Sequence, residues 1–130
     1  MTEEPIEVKV DLHVHSHKSD KPYSWFLRSA KAAECYTPVQ RVYDFAMARG
    51  MNLVTITDHD TIDGAVELMT HYPENSFISE EVSARFPEDG CIIHTIALDI
   101  TEEQHREIQR LRRNVYELIQ YMNESNIEYF

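Results

Sequence analysis

Short β-branched runs alternate along this chain with stretches whose apolar residues recur every three or four positions, an alternation that confines the fold to sheets covered by helices. Val8 to Leu12 is the first alternating run, and it ends at a polar loop from His13 to Ser24, so it reads as a strand feeding a loop. Thr37-Pro38-Val39-Gln40 supplies a capping Thr, a proline at the first helical position and a Gln three residues after the cap; together they predict a helix start, and Gly50 predicts its stop. Leu53 to Thr57 reads as a second strand, Gly64 to His71 as a short helix, and Phe77-Ile78 and Ile92 to Ile96 as two further strands. Thr101 to Gln104 is a second capping box. After it, Ile108, Leu111, Val115, Leu118, Ile119 and Met122 predict one helix of about four to five turns. Asn126 and the residues to Phe130 read as a turn and the opening of another strand.

Strands separated by helices predict an α/β fold with mostly parallel pairing and right-handed crossovers. In such folds the chemistry gathers at the carboxyl ends of the strands. A chain of 130 residues fits one domain, 1–130. The chain stops abruptly where another strand opens.

The net charge of -11 opposes binding to duplex nucleic acid, whose phosphates attract clustered Lys and Arg. Cys35 and Cys91 form no C-x-x-C pair and are too few for a disulfide scaffold, which favours a reducing compartment. With no charged-then-apolar leader and no apolar run of bilayer length, the expectation is a cytoplasmic protein without a membrane partner.

The chemistry-bearing residues fall where that architecture predicts a site. His13 and His15 flank Val14 at the end of the first run, and alternate residues of an extended chain project to one side, so both imidazoles can reach one ion. Asp58-His59-Asp60 follows the second strand, Glu81 follows the third apolar run, and His94 interrupts the fourth. Taken singly, an H-x-H is a polar loop pair, Asp-His-Asp a helix cap and a strand-end Glu a solvated group. Their coincidence at one rim makes them candidates.

In this set the run Asp11-Leu12-His13-Val14-His15-Ser16, with Ser19-Asp20 after it, resembles the first motif of the PHP (polymerase and histidinol phosphatase) superfamily. Thr57-Asp58-His59-Asp60 resembles its second motif, Glu81-Val82-Ser83 the strand end that holds a bridging glutamate, and His94 the histidine of the next ligand strand. The resemblance implies the amino-terminal part of a distorted (β/α)7 barrel carrying up to three divalent ions, Zn, Mn or Fe. His13 and His15 would hold one ion, Glu81 would bridge it to a second held by His94, and Asp20 and His59 would hold a third. Mixed imidazole and carboxylate ligands suit these metals better than Mg or Ca. The implied reaction is hydrolysis of a phosphoester in a small phosphorylated metabolite or nucleotide, with a metal-bound hydroxide as nucleophile.

Asp11 and Asp58 precede ligand histidines and are expected either to orient imidazoles or to act as turn and cap residues. Lys18, Lys21, Arg28 and Arg85 are candidate phosphate contacts or ordinary surface charges. Tyr23, Trp25 and Phe26 either cover the loop or stack on a base, and His17 is expected to be a solvated loop residue. His71 and His105 receive no role. Three departures from the family stand out: Lys21 replaces the glycine of Ser-Asp-Gly, Glu80 beside Glu81 leaves two candidates for the bridge, and the family's later histidine and Asp-x-His do not occur after His105. The alternatives are a non-catalytic metal-binding or interaction module and an inactive fragment of a larger enzyme. An open parallel edge would be closed in a homodimer or by a missing carboxyl-terminal portion.

Overall fold

A computed structural model describes residues 3–19 and 37–130. Asp20, Lys21, Tyr23, Trp25, Phe26, Arg28 and Cys35 lie outside the described residues. The elements are α1 (Val39–Ala48), β1 (Val54–Ile56), α2 (Asp63–His71), β2 (Ser76–Ile78), β3 (Glu80–Arg85), β4 (Ile92–Leu98), α3 (Glu102–Leu111), α4 (Val115–Glu124) and β5 (Glu128–Tyr129).

The strands form two ladders of different sense. β1 and β2 pair in parallel, with Ile56 opposite Ile78. β3, β4 and β5 form an antiparallel sheet in that order. The mostly parallel pairing expected from the sequence therefore holds only for the first pair. The reason is local: β3 and β4 are joined by a tight turn in which Phe86 N–H donates to Cys91 O at 2.9 Å and Gly90 adopts φ +74°, so the chain reverses with no room for a crossover helix. The two ladders meet at a parallel bridge between His59 and Glu81, three residues beyond the Ile56–Ile78 pair on both segments, so the β1–β2 register carries through into β3.

Val8 to Leu12, expected as a strand, is not one: Val8, Lys9 and Asp11 are exposed and Val10 and Leu12 half-buried. It lies along β1 through backbone bonds near its ends: Asn52 N–H donates to Lys9 O at 2.8 Å and Thr57 N–H to Val14 O at 2.7 Å. Val8 is half exposed.

Two apolar clusters hold the helices onto the strands. α1 and α2 bring Val39, Val42, Ala65 and Leu68 against Val54 and Ile56. α3 and α4 bring Ile108, Val115, Leu118 and Met122 against Val82, Ala84 and Ala97. At the start of α1 the capping position belongs to Pro38, with no side-chain cap, and Gln40 instead reaches Asp44 and Tyr72. Gly50, at φ +79°, ends the segment as the sequence predicts. The capping box at Thr101 and Gln104 forms in full.

The single long helix expected after Thr101 is two helices. Asn114 accepts from the N–H groups of Tyr116 and Glu117 and so starts α4 afresh. The residues before it are drawn to β3: Arg85 N–H donates to Arg112 O at 2.9 Å, and Arg112 Nη1 donates to Ser83 O at 3.1 Å. The apolar stripe survives the break because Val115 and Leu118 still face the sheet. Among the described residues no helix is long and apolar enough to cross a membrane.

Leu118 is fully buried and Tyr116, on the same helix, is 56% exposed. Leu118→Ala is expected to cost about 2–5 kcal/mol by leaving a cavity, and Tyr116→Ala no more than about 0.5 kcal/mol. Denaturant unfolding of both variants checks the difference.

Candidate functional site

Four imidazoles face one carboxylate. Glu81 Oε2 lies 2.9 Å from His15 Nε2, 3.0 Å from His13 Nε2 and 3.7 Å from His59 Nε2, while Oε1 lies 3.2 Å from His94 Nδ1. The rings crowd together, with centroids 4.7 Å apart for His15 and His59 and 5.1 Å for His59 and His94. The Glu81 side chain is 6% exposed, whereas His13 is 52% and His94 38% exposed, so the carboxylate forms a floor and the outer imidazoles open to solvent.

Strand geometry explains the convergence. His13 and His15 project to one side of the extended amino-terminal segment, and His59 follows β1 immediately beside them. On the antiparallel pair, Ser83 lies opposite His94 and Glu81 opposite Ile96, so Glu81 and His94 share a face as diagonal neighbours. Asp60 secures the junction: held at φ +53°, it donates its backbone N–H to Glu81 O at 2.9 Å and accepts Ser83 N–H on Oδ1 at 2.8 Å. From the other side Glu81 N–H donates to Asp58 O at 3.0 Å. Glu81 is thereby gripped on both flanks of its own peptide.

A second set of bonds ties the histidine segments to each other. Asp58 is buried and accepts the Ser16 backbone N–H and hydroxyl, each at 2.6 Å. Burial pushes its carboxyl up to about 6, partly offset by those two bonds. Its partner is thus Ser16 rather than an imidazole. Ser19 Oγ accepts His59 N–H at 2.9 Å and lies 3.2 Å from His15 Nδ1. Burial and the neighbouring His59 both lower the pKa of His15, which favours a neutral ring with a lone pair to offer.

Gly64 is required by this packing. A Cβ there would stand 2.6 Å from Asp58 Oδ2 and 2.7 Å from Ser16 Oγ. No sequence signal marked Gly64, because a glycine near a helix start ordinarily needs no explanation.

The other candidates lie apart from the cluster. Asp11 is exposed and its Oδ1 accepts the backbone N–H of His13 at 3.1 Å, a turn bond. Lys18 Nζ is 3.8 Å from Glu67, and Arg85 is exposed. His17 is half-buried rather than solvated, and its Nδ1 has no hydrogen-bond partner among the described residues. Glu80, the rival to Glu81, points to the opposite side of β3 and is fully buried against His105 and Gln109.

The donor set fits a metal. The ligand atoms of His13, His15 and Glu81 lie within 4.8 Å of one another, and so do those of His59, Glu81 and His94, with Glu81 common to both groups. His13 and His15 turn their Nε2 atoms to each other at 3.1 Å. Rings so placed share a proton or turn two lone pairs on one cation.

Solved structures similar to this chain include an amidohydrolase and a protein assigned as a metal-dependent phosphoesterase. An amidohydrolase from Chromobacterium violaceum, solved with bound sulfate and no metal, matches with a TM-score of 0.53 and 26% identity over 78% of this chain and 32% of its own. A protein from Bifidobacterium adolescentis assigned as a metal-dependent phosphoesterase matches with a TM-score of 0.47 and 24% identity, over 82% and 34%. This chain spans about a third of the length of each. The amidohydrolase shows the fold, a mixed α/β arrangement that occurs in a hydrolase. No protein-family model matches the chain, and no curated protein does.

Gly64→Ala is expected to destabilise the protein by about 1–3 kcal/mol through overpacking against Asp58 and Ser16. Chemical denaturation measures the loss, and an unchanged midpoint would show that the carboxylate is free to move aside.

Proposed function

We propose that this chain is the metal-binding part of a metal-dependent hydrolase acting on phosphoesters. The observation that carries the reading is the single buried carboxylate of Glu81 facing His13, His15, His59 and His94 through both of its oxygens. His13, His15 and Glu81 would hold one divalent ion and His59, Glu81 and His94 a second, with Glu81 between them. Divalent ions, when bound, supply positive charge for phosphoryl oxygens and a lowered pKa for water.

The protein's own part is to present four imidazoles and one carboxylate with little freedom to move. The lowering of the His15 pKa by burial and by His59, the Ser19 bridge and the grip of Asp58 and Asp60 on the Glu81 peptide all serve that end. Zn, Mn or Fe suits such a donor set. The motif resemblance supports the choice of a phosphoester. A tetrahedral sulfate is bound in the similar amidohydrolase, and a tetrahedral dianion is also the shape of a phosphate group. That same relative motivates a second reading, hydrolysis of an amide.

Elemental analysis followed by assays on an aryl phosphate and an aryl amide, with and without chelator, separates these readings. The expected result is at least one equivalent of Zn, Mn or Fe and phosphate release that stops on metal removal. Turnover by fully metal-free protein would overturn the proposal, and amide cleavage alone would replace it with the second reading. His13→Ala and Glu81→Gln are expected to lower phosphate release at least about a hundredfold while leaving the circular dichroism of the helices unchanged.

A further inference from the structure

Behind the strand that carries Glu81 sits a second carboxylate for which the proposed reaction has no use. Glu80 is fully buried, with Oε1 2.8 Å from His105 Nδ1 and Oε2 accepting Gln109 Nε2 at 2.9 Å. His105 and Gln109 stand one turn apart on α3, so a single helix face offers two donors to the two oxygens and fixes the plane of the carboxylate. Val82 and Ala84, which share the Glu80 face of β3, pack into an ordinary apolar core. Stability alone gives no reason for a glutamate at the head of that face, because apolar residues of similar volume commonly replace buried ion pairs without loss.

Its position supplies a reason. Successive side chains of a strand point to opposite faces, so Glu80 and Glu81 share a peptide but not an environment. The parallel bridge to His59 and the bonds to Asp58 and Asp60 hold the Glu81 peptide from the loop side. The bonds from α3 to Glu80 hold the adjoining residue from behind. We infer that His105 and Gln109 are positioning residues of the metal centre, acting through Glu80 to fix the backbone from which Glu81 reaches the imidazoles.

This inference rests on the metal-binding reading above, and its test reads metal affinity rather than turnover. Co²⁺ is titrated into the apo-protein in competition with a chelator, and the cobalt absorption spectrum reports the ligand field. His105→Ala is expected to weaken binding about tenfold to a hundredfold, the usual effect of losing a support behind a ligand, and to alter the spectrum. His105→Asn, which retains a donor near the place of Nδ1, is expected to restore affinity to within about threefold of the parent. In a Glu81→Gln background His105→Ala is expected to weaken binding no further, since contributions that act through one group are not additive.

An unchanged affinity in His105→Ala, or an equal loss in both backgrounds, would overturn the inference and leave a merely structural contact. Should His105→Ala fail to fold, Gln109→Ala removes one donor of the two and is read against the same outcomes. A parent protein that binds no cobalt overturns the metal-binding reading itself, whereas a parent that binds it with no response to either variant overturns this inference alone.

Discussion

A carboxylate that is almost wholly buried and faces four imidazoles is an arrangement that the rest of the chain must be built to maintain. A polar group taken out of water needs hydrogen-bonding partners, and the surrounding rings put nitrogen atoms within reach of both of its oxygens. Each of the histidines comes from a different stretch of chain, apart from the His13 and His15 pair, so the site exists only when the amino-terminal segment, the end of β1, β3 and β4 lie side by side. The continuous register from the Ile56–Ile78 pair to the His59–Glu81 bridge accomplishes this. It places the loop after β1 against the start of β3.

Much of the architecture was legible from the sequence because its signals are local. The capping box at Thr101, the glycine that ends α1 and the β-branched run of β1 each act within a few residues of where they stand. What escaped reading depends on partners far along the chain. β3 reads as Glu-Glu-Val-Ser-Ala-Arg, in which Val82 and Ala84 alone supply an apolar face, and its two leading carboxylates are buried because α3 and the histidine segments meet them. The break between α3 and α4 follows from Arg112 bonding to β3, which no periodicity reveals. Val8 to Leu12 differs in the opposite sense, having the composition of a strand but, among the described residues, only isolated backbone bonds at Lys9.

The same distinction holds for the site. The sequence order placed imidazoles and carboxylates at the ends of apolar runs, and the structure brings His13, His15, His59, Glu81 and His94 together. Strand alternation sends Glu80 and Glu81 to opposite faces, so that Glu81 meets the imidazoles and Glu80 meets His105. Asp58 grips Ser16 because its side chain points into the space between α2 and the amino-terminal segment, where Gly64 leaves room. That room is a three-body matter, and no pair of residues in the sequence advertises it.

The side chains along the outer edge of β3 also bear on how the molecule keeps to itself. Ser83 and Arg85 would otherwise present unpaired backbone groups in the manner of an edge strand, which invites another chain to add on. Asp60 takes the Ser83 N–H, and Arg112 takes the Ser83 carbonyl and the Arg85 N–H. The two residues do the work of a neighbouring strand while costing the chain none of the length that a strand would need. With those three groups already satisfied, this stretch of β3 gives an incoming strand nothing to pair with at Ser83 and the Arg85 N–H.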